Sequence, residues 1–339
     1  NVLVTGGFGF LGSHLVELLL EDPENHVHVV DSLVSSPLPV ETLLAELGFP
    51  ADRDYERLSW MQETVADFLH RGPSHRIFDE IYHLASVVGP AGVIPHAGRI
   101  ARSIIDDAMG LADLALTQSA RLLDVSTSEV YGGGVQGLCS EGMAKVVHPN
   151  ASPRLEYALG KLAAETALQN RHQAMGLDVR IVRPFNITGP RQCGKGGFVL
   201  PRFVGQELAG IPLTVFGSGK QLRAFTHVRD MAEGIVLAMR SNEISGQAIN
   251  LGNPDNKCSI LQLATEVKEV CGSSSPILHC NPKQIWGPLY EEANEKFPDW
   301  GRAKDIGWLP TRNRTETIAD VVTYMKGLPE HLRLRLRGF

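Results

Sequence analysis

The stretch VTGGFGFLGSHL, residues 4–15, puts Gly6, Gly9 and Gly12 directly after the apolar run NVLVT and at the start of a helical pattern. A chain that leaves a strand and enters a helix within so few residues needs glycine where the backbone reverses, where it approaches a ligand and where the helix seats on the sheet. The helix N-terminus then offers unpaired amides to an anion, such as a pyrophosphate. A glycine triplet alone also fits an ordinary turn, so the surrounding chain decides. The second strand pattern ends HVVDSL, with Asp31 19 residues beyond Gly12, at the position where a carboxylate accepts from a ribose 2′-hydroxyl. No arginine follows it to neutralise a 2′-phosphate, which favours NAD over NADP as cofactor. The segment FGSGKQ, 216–221, fails as a phosphate loop, because it lacks the leading glycine and has no Ser or Thr after its lysine.

Apolar runs alternate with helical periodicity: NVLVT, HVHVV, EIYHLA, ARLLDVS and DVRIVRPF are separated by segments such as LGSHLVELLLED. This predicts an α/β fold, a doubly wound parallel sheet of the Rossmann type. After Pro184 the pattern turns irregular and rich in Gly and Pro, which predicts a smaller mixed α/β substrate-binding lobe. The expected division is residues 1–184 for the dinucleotide domain and 185–339 for the lobe. The helix-like VRDMAEGIVLAMRS should return to the first domain, so that about 225–255 rejoins it.

Composition narrows the partners. The 339 residues, 43% hydrophobic, are enough for a substantial core. A net charge of −6 argues against nucleic acid as a partner, and no apolar run is long enough to span a membrane. Five cysteines without a CxxC pair fit a reducing compartment, so a cytoplasmic location is expected. The chain opens inside a strand without a methionine, which leaves room for residues upstream. His26 and His28 have no further ligands at metal-binding spacing, so no metal is expected. The tail HLRLRLRGF alternates Arg and Leu and reads as a solvated terminus or an edge strand.

The glycine turn, the Tyr157-x-x-x-Lys161 pair in EYALGK and the strand end STSEVYG, 126–132, together resemble the extended short-chain dehydrogenase/reductases that modify nucleotide sugars. The resemblance continues through RPFNITGPR, GFVLPRFV, PLTVFGSGKQLRAFTHVRDMAEGI and AINLGNP to RAKDIGWLP. It implies cofactor contacts at Gly6, Gly9, Phe10, Leu11, Gly12, Asp31, Ala85, Tyr157 and Lys161. Tyrosine is a poor base at neutral pH unless positive charge stabilises its phenolate, which Lys161 and an oxidised nicotinamide can supply. Tyr157 would take the proton of a sugar 4-hydroxyl while hydride leaves C4, with Thr127 bonded to the same oxygen.

Glu129 points to the step that follows. Epimerases of this kind usually carry a small residue there, and the 4,6-dehydratases read STDEVYG, with an acid where this chain has Ser128. STSEVYG resembles the UDP-glucuronic acid decarboxylases, in which C4 oxidation turns the C6 carboxylate into a β-keto acid. Arg154 in SPRLEY also matches that group and could orient a carboxylate. Lys296 in EEANEKFPD is a departure, since the decarboxylases have a catalytic arginine there; it keeps the charge and loses the planar fork, which leaves 4-epimerisation or 4,6-dehydration as alternatives. By resemblance, the nucleotide sugar would meet Asn186, Phe198, Val199, Arg202, Val215, Phe216 and Arg223, with Arg223 on a phosphate. Val215 and Phe216 read equally well as core strand residues. The segment 87–102 is expected to shape the sugar pocket. A UDP-sugar is the expected partner, and a homodimer is expected through the helices around IIDDAMGLADLAL and YALGKLAAETALQNRHQ.

Overall fold

The computed structural model describes residues 1–49, 56–72, 76–132, 137–147, 149–292 and 295–338. Seven strands form its main sheet: β1 (Val2–Thr5), β2 (Val27–Asp31), β3 (Leu58–Gln62), β4 (Glu80–His83), β5 (Arg121–Val125), β6 (Val179–Pro184) and β7 (Ala248–Leu251). They pair in parallel in the order β3-β2-β1-β4-β5-β6-β7. The strand order therefore reverses between β1 and β4, and the carboxyl ends of those strands face a crevice where ligands bind in sheets of this kind.

The helices used below are α1 (Phe10–Glu21), α2 (Ile100–Gln118), α3 (Pro153–Met175), α4 (Val199–Leu208), α5 (Val228–Arg240) and α6 (Glu330–Arg337). β1, β2 and β7 are buried along their whole length, as strands covered on both faces must be. Leu3, Val30, Ile81 and Leu122 pack with Leu111 of α2 and Leu168 of α3 on one face. On the other face, Val2, Val4 and Val29 join Leu15 of α1 and Ile235 of α5 in a core that continues to Phe203 of α4 and Leu336 of α6.

The five strands expected from the apolar runs are present. Two more complete the sheet. β3 is an edge strand in which only Leu58 is buried and Trp60 is 37 % exposed, so its apolar pattern is weak. β7 extends the opposite edge from residues far along the chain, beyond α5.

The remainder contains short strand pairs that bring distant residues together. Leu213–Phe216 runs parallel to Ile277–Cys280, Leu222–Ala224 antiparallel to Lys257–Ser259, and Lys296–Pro298 parallel to Gly137–Cys139. The arginine-rich tail is neither a solvated terminus nor an edge strand. Residues 330–337 form α6, whose Leu332 and Leu336, one turn apart, are buried against α4 while Arg335 caps Ser36 and Pro37 carbonyls. The Arg/Leu alternation has period two, but the two buried leucines satisfy a helical i, i+4 spacing as well. Among the described residues no helix is long and apolar enough to cross a membrane.

Candidate active site

The cofactor cradle follows from local backbone demands. Gly6 takes φ +72°, and a Cβ there would stand 2.8 Å from the Ala85 amide nitrogen. A Cβ on Gly12 would stand 2.0 Å from the Gly6 carbonyl oxygen, so α1 can pack this closely on the turn only with glycine. Gly9 is the N-cap of α1, and no side chain caps that end. Phe10 and Leu11 begin the helix, leaving its first amides directed outward, as a pyrophosphate requires. Asp31, at the end of β2, accepts from the amides of Phe8 at 2.9 Å and Leu33 at 2.7 Å. Burial raises its carboxyl above the ordinary range, and these amides pull it back. Turn, helix start and carboxylate lie together and could hold a dinucleotide.

The strand end STSEVYG continues β5 into a 3-10 turn, Ser128–Tyr131, with the Thr127 hydroxyl accepting from the Glu129 amide at 3.2 Å. Helix α3 starts beside it. Ser152 caps the helix by accepting from the Leu155 amide at 3.1 Å, Pro153 occupies the first helical position, and Arg154 follows. Arg154 grips Glu129 with two hydrogen bonds, Nε to Oε2 at 2.9 Å and Nη2 to Oε1 at 2.7 Å. Lys296, carried in by the Lys296–Pro298 pairing, approaches the same carboxylate, Nζ to Oε2 at 3.3 Å. Burial alone would raise Glu129, but Arg154 and Lys296 bring it down to about 2. Burial pushes the Lys296 ammonium down, and Glu129 opposes that shift.

One turn along α3, Tyr157 is buried and hydrogen-bonded to the Thr127 side chain. Burial drives its phenol well above the ordinary value, Glu129 and Asp124 push it further, and the Thr127 bond and Arg154 act in the opposite direction. Lys161 donates from Nζ to the Val125 carbonyl at 2.7 Å, so its ammonium is fixed to the end of β5. Ser128, Thr127, Glu129, Arg154, Tyr157, Lys161 and Lys296 thus form one neighbourhood from three separate stretches of chain.

Beneath it lies a network the sequence did not disclose. Ser126 bonds Glu165; Arg183 holds Glu165 at 2.6 Å and reaches the Tyr131 hydroxyl at 3.1 Å, and that hydroxyl donates to Asn250 at 2.6 Å. These side chains tie β5, β6, β7 and α3 together under the turn that carries Glu129. Arg183 and Asn250 stand inside strands with buried patterns, and a charged or amide side chain there is the signal that could have exposed the network.

On the lobe side, Asn186 has φ +36° and donates to the Ala224 carbonyl at 3.2 Å. Phe198 precedes α4, with its ring against Gly89, while Val199 opens the helix. The segment 87–102 meets this loop, with the Ala91 amide donating to Gly196 at 3.0 Å, and meets α3 through Gly98, whose amide donates to Glu156 at 2.6 Å. Val215 and Phe216 are both buried, and Val215 belongs to the core. Arg202 lies over the Phe216 ring, 3.9 Å from its centroid, and donates to the Thr214 carbonyl at 3.0 Å. Its Nε and Nη1 have no hydrogen-bond partner among the described residues, and burial lowers its pKa to about 10. Arg223 pairs with Glu292 at 2.6 Å, and Tyr290 sets its edge against Phe216. The stretch 290–292, not anticipated from sequence, also reaches the first cluster, since Arg154 Nη1 donates to the Glu291 carbonyl at 3.1 Å.

The profile of the NAD dependent epimerase/dehydratase family matches residues 2–252. A UDP-glucuronic acid decarboxylase of Xenopus tropicalis is 34% identical over 333 residues, covering 98% of this chain and 73% of that protein. A UDP-N-acetyl-alpha-D-glucosaminuronate decarboxylase of Bacillus cytotoxicus is 31% identical over 310 residues, 90% of each. Among solved structures, a UDP-glucuronic acid 4-epimerase of Bacillus cereus in complex with UDP-glucuronic acid and NAD superposes with a TM-score of 0.81 at 26% identity, covering 96% of this chain and 98% of that one.

Proposed function

Because this chain belongs to the NAD dependent epimerase/dehydratase family, we propose that it is an NAD-dependent decarboxylase of a nucleotide-activated uronic acid, converting UDP-glucuronate to UDP-xylose or UDP-4-keto-xylose. The observation that carries this reading is the cluster beside Tyr157, where Arg154 and Lys296 both face the single carboxylate of Glu129. Within this trio two cations against one anion leave one net positive charge, and Glu292, which also acts on Arg154, is paired with Arg223; the C6 carboxylate of a uronic acid neutralises that charge and a neutral hexose does not.

Bound NAD supplies the hydride acceptor and, later, the hydride donor at C4. Tyr157 takes the proton of the C4 hydroxyl, and Thr127 keeps the phenol and the substrate oxygen in one hydrogen-bonded unit. The product of that step is a β-keto acid. When the C5–C6 bond breaks, its electron pair passes through C5 to the C4 oxygen, and carbon dioxide leaves as a neutral molecule. Tyr157 and Thr127 stabilise the enolate oxygen. A proton from solvent takes the place of carbon dioxide on C5, and the 4-ketone is either reduced to UDP-xylose, which would regenerate the oxidised cofactor, or released as UDP-4-keto-xylose, which would leave the cofactor reduced. Glu129, held ionised, serves at C5 and C6, while Arg154 and Lys296 orient the carboxylate. Arg223, Phe216, Asn186 and Arg202 hold the nucleotide diphosphate.

Retention of the carboxylate with inversion at C4 is the second reading, favoured by the similarity to a structure that holds UDP-glucuronic acid. Incubation with UDP-glucuronate and mass analysis distinguishes them: a pentose nucleotide and carbon dioxide support decarboxylation, and an isomeric uronate overturns it. We also propose that two copies pair through α2 and α3; on α3, Leu159, Leu162 and Ala163 line an open groove.

A further inference from the structure

Under the Tyr157–Lys161 turn lies a buried carboxyl that the chemistry above does not use. Asp124, on β5, is 1 % exposed, and neither carboxylate oxygen has a hydrogen-bond partner among the described residues. Its register partner on β4 is His83, itself 2 % exposed, with Nε2 3.9 Å from Asp124 Oδ1 and Nδ1 2.8 Å from the Thr5 hydroxyl. Its partner on the other side, β6, is the apolar Ile181. Strand alternation turns Asp124 and Ser126 to the same face, and Ser126 bonds Glu165 of α3 there. That face also receives Lys161, whose Nζ is tied to the carbonyl of Val125, the residue next to Asp124.

A carboxylate without hydrogen bonds in a dry sheet is costly, and a valine or leucine would fill a strand position of this kind without that cost. A buried ammonium has the complementary need, since it too must be balanced by opposite charge. We propose that Asp124, backed by His83, is the counter-charge of Lys161 and a positioning residue that sets the pH at which Tyr157 gives up its proton. This rests on the reading of Tyr157 as the base.

The charges around the unit act in known directions. Burial pushes Asp124 up and Lys161 pulls it down. Burial and Lys161 hold His83 down to about 3, so the imidazole is neutral and can present a single N–H to either neighbour. On α2, Asp107, raised to about 6 by burial and by Asp106, also feels Lys161. Tyr157 faces Glu129 and Arg154 from above and Asp124 from below, and Asp124 raises its phenol. Removing the Asp124 charge therefore makes the phenolate easier to form.

The test is the pH dependence of NADH formation in a single turnover with UDP-glucuronate, read for the wild type, Asp124→Asn, Asp124→Leu and Tyr157→Phe. The expected result is an acid limb that moves to lower pH by roughly half a unit or more in both Asp124 variants, with the change in the rate constant and not in the substrate concentration at half-saturation. An unmoved limb, or one that moves up, overturns the counter-charge while Tyr157→Phe remains inactive and the base assignment stands. Loss of folding in both Asp124 variants makes the residue structural and overturns the proposal. A Tyr157→Phe protein that still forms NADH with the same limb overturns both the inference and the base assignment.

Discussion

The two halves of the crevice are built in different ways. On the cofactor side, Gly6, Gly12, the uncapped start of α1 and Asp31 come from the first 31 residues, and backbone donors already satisfy the Asp31 carboxylate. On the sugar side, Glu129, Arg154, Lys296, Arg223 and Glu292 come from stretches scattered over about half the chain, and their charges are paired with one another. The first half is a rigid shape that local sequence dictates. The second is a set of ion pairs that the proposed uronate substrate would join or exchange. Variants on the two sides should therefore separate binding of cofactor from processing of substrate.

The largest effect is expected at the junction of the halves. Tyr157→Phe removes the proton acceptor but keeps the ring, and should slow NADH formation by roughly 10²–10⁴-fold, measured by absorbance after mixing with UDP-glucuronate. Glu129→Ala should leave NAD affinity unchanged and slow carbon dioxide release by roughly 10²-fold; weakened NAD binding would erase the separation. Lys296→Ala should lose most of the activity, whereas Lys296→Arg should keep much of it, because the cluster needs a second cation more than a particular geometry. Equal losses in both would show that the lysine geometry itself matters. On the other side, Asp31→Ala should weaken NAD by about 1.5–3 kcal/mol through lost hydrogen bonds to a charged acceptor, measured by calorimetry, without altering which product forms.

A smaller effect concerns acid stability. Glu129 lies near 2 in the folded chain against an ordinary 4.5. A depressed carboxyl contributes stability that is complete above the unfolded value and is lost as pH falls toward the folded one. Acid unfolding should therefore steepen between about pH 4.5 and 2, and Glu129→Gln should flatten that window when followed by circular dichroism.

What could be read from the sequence divides along the same line. Gly6 to Asp31 announced the cradle because a tight strand-to-helix turn admits few residues, and the five apolar runs announced their strands because parallel strands are buried on both faces. β3 escaped notice because an edge strand buries little, and α6 because alternation of Leu and Arg carries two periodicities. Tyr157, Lys161 and Glu129 were visible as motifs, but their partners were not. Nothing in the sequence states that Arg154 would grip Glu129, that residue 296 would pair beside residue 137, or that Glu292 would meet Arg223, since each depends on tertiary placement of distant chain. Asp124 stands within an apolar strand pattern, and its isolation depends on neighbours that only the fold brings to it.

The cationic cluster around Glu129 is proposed to receive a uronate carboxylate that is then lost. The most direct measurement is the fate of the C6 carbon: UDP-glucuronate labelled at C6 is incubated with the NAD-loaded protein, and label is followed in the gas phase and in the nucleotide sugar. Label should leave as carbon dioxide in proportion to the pentose nucleotide formed. Turnover to a C4-inverted uronate that retains all the label would contradict it.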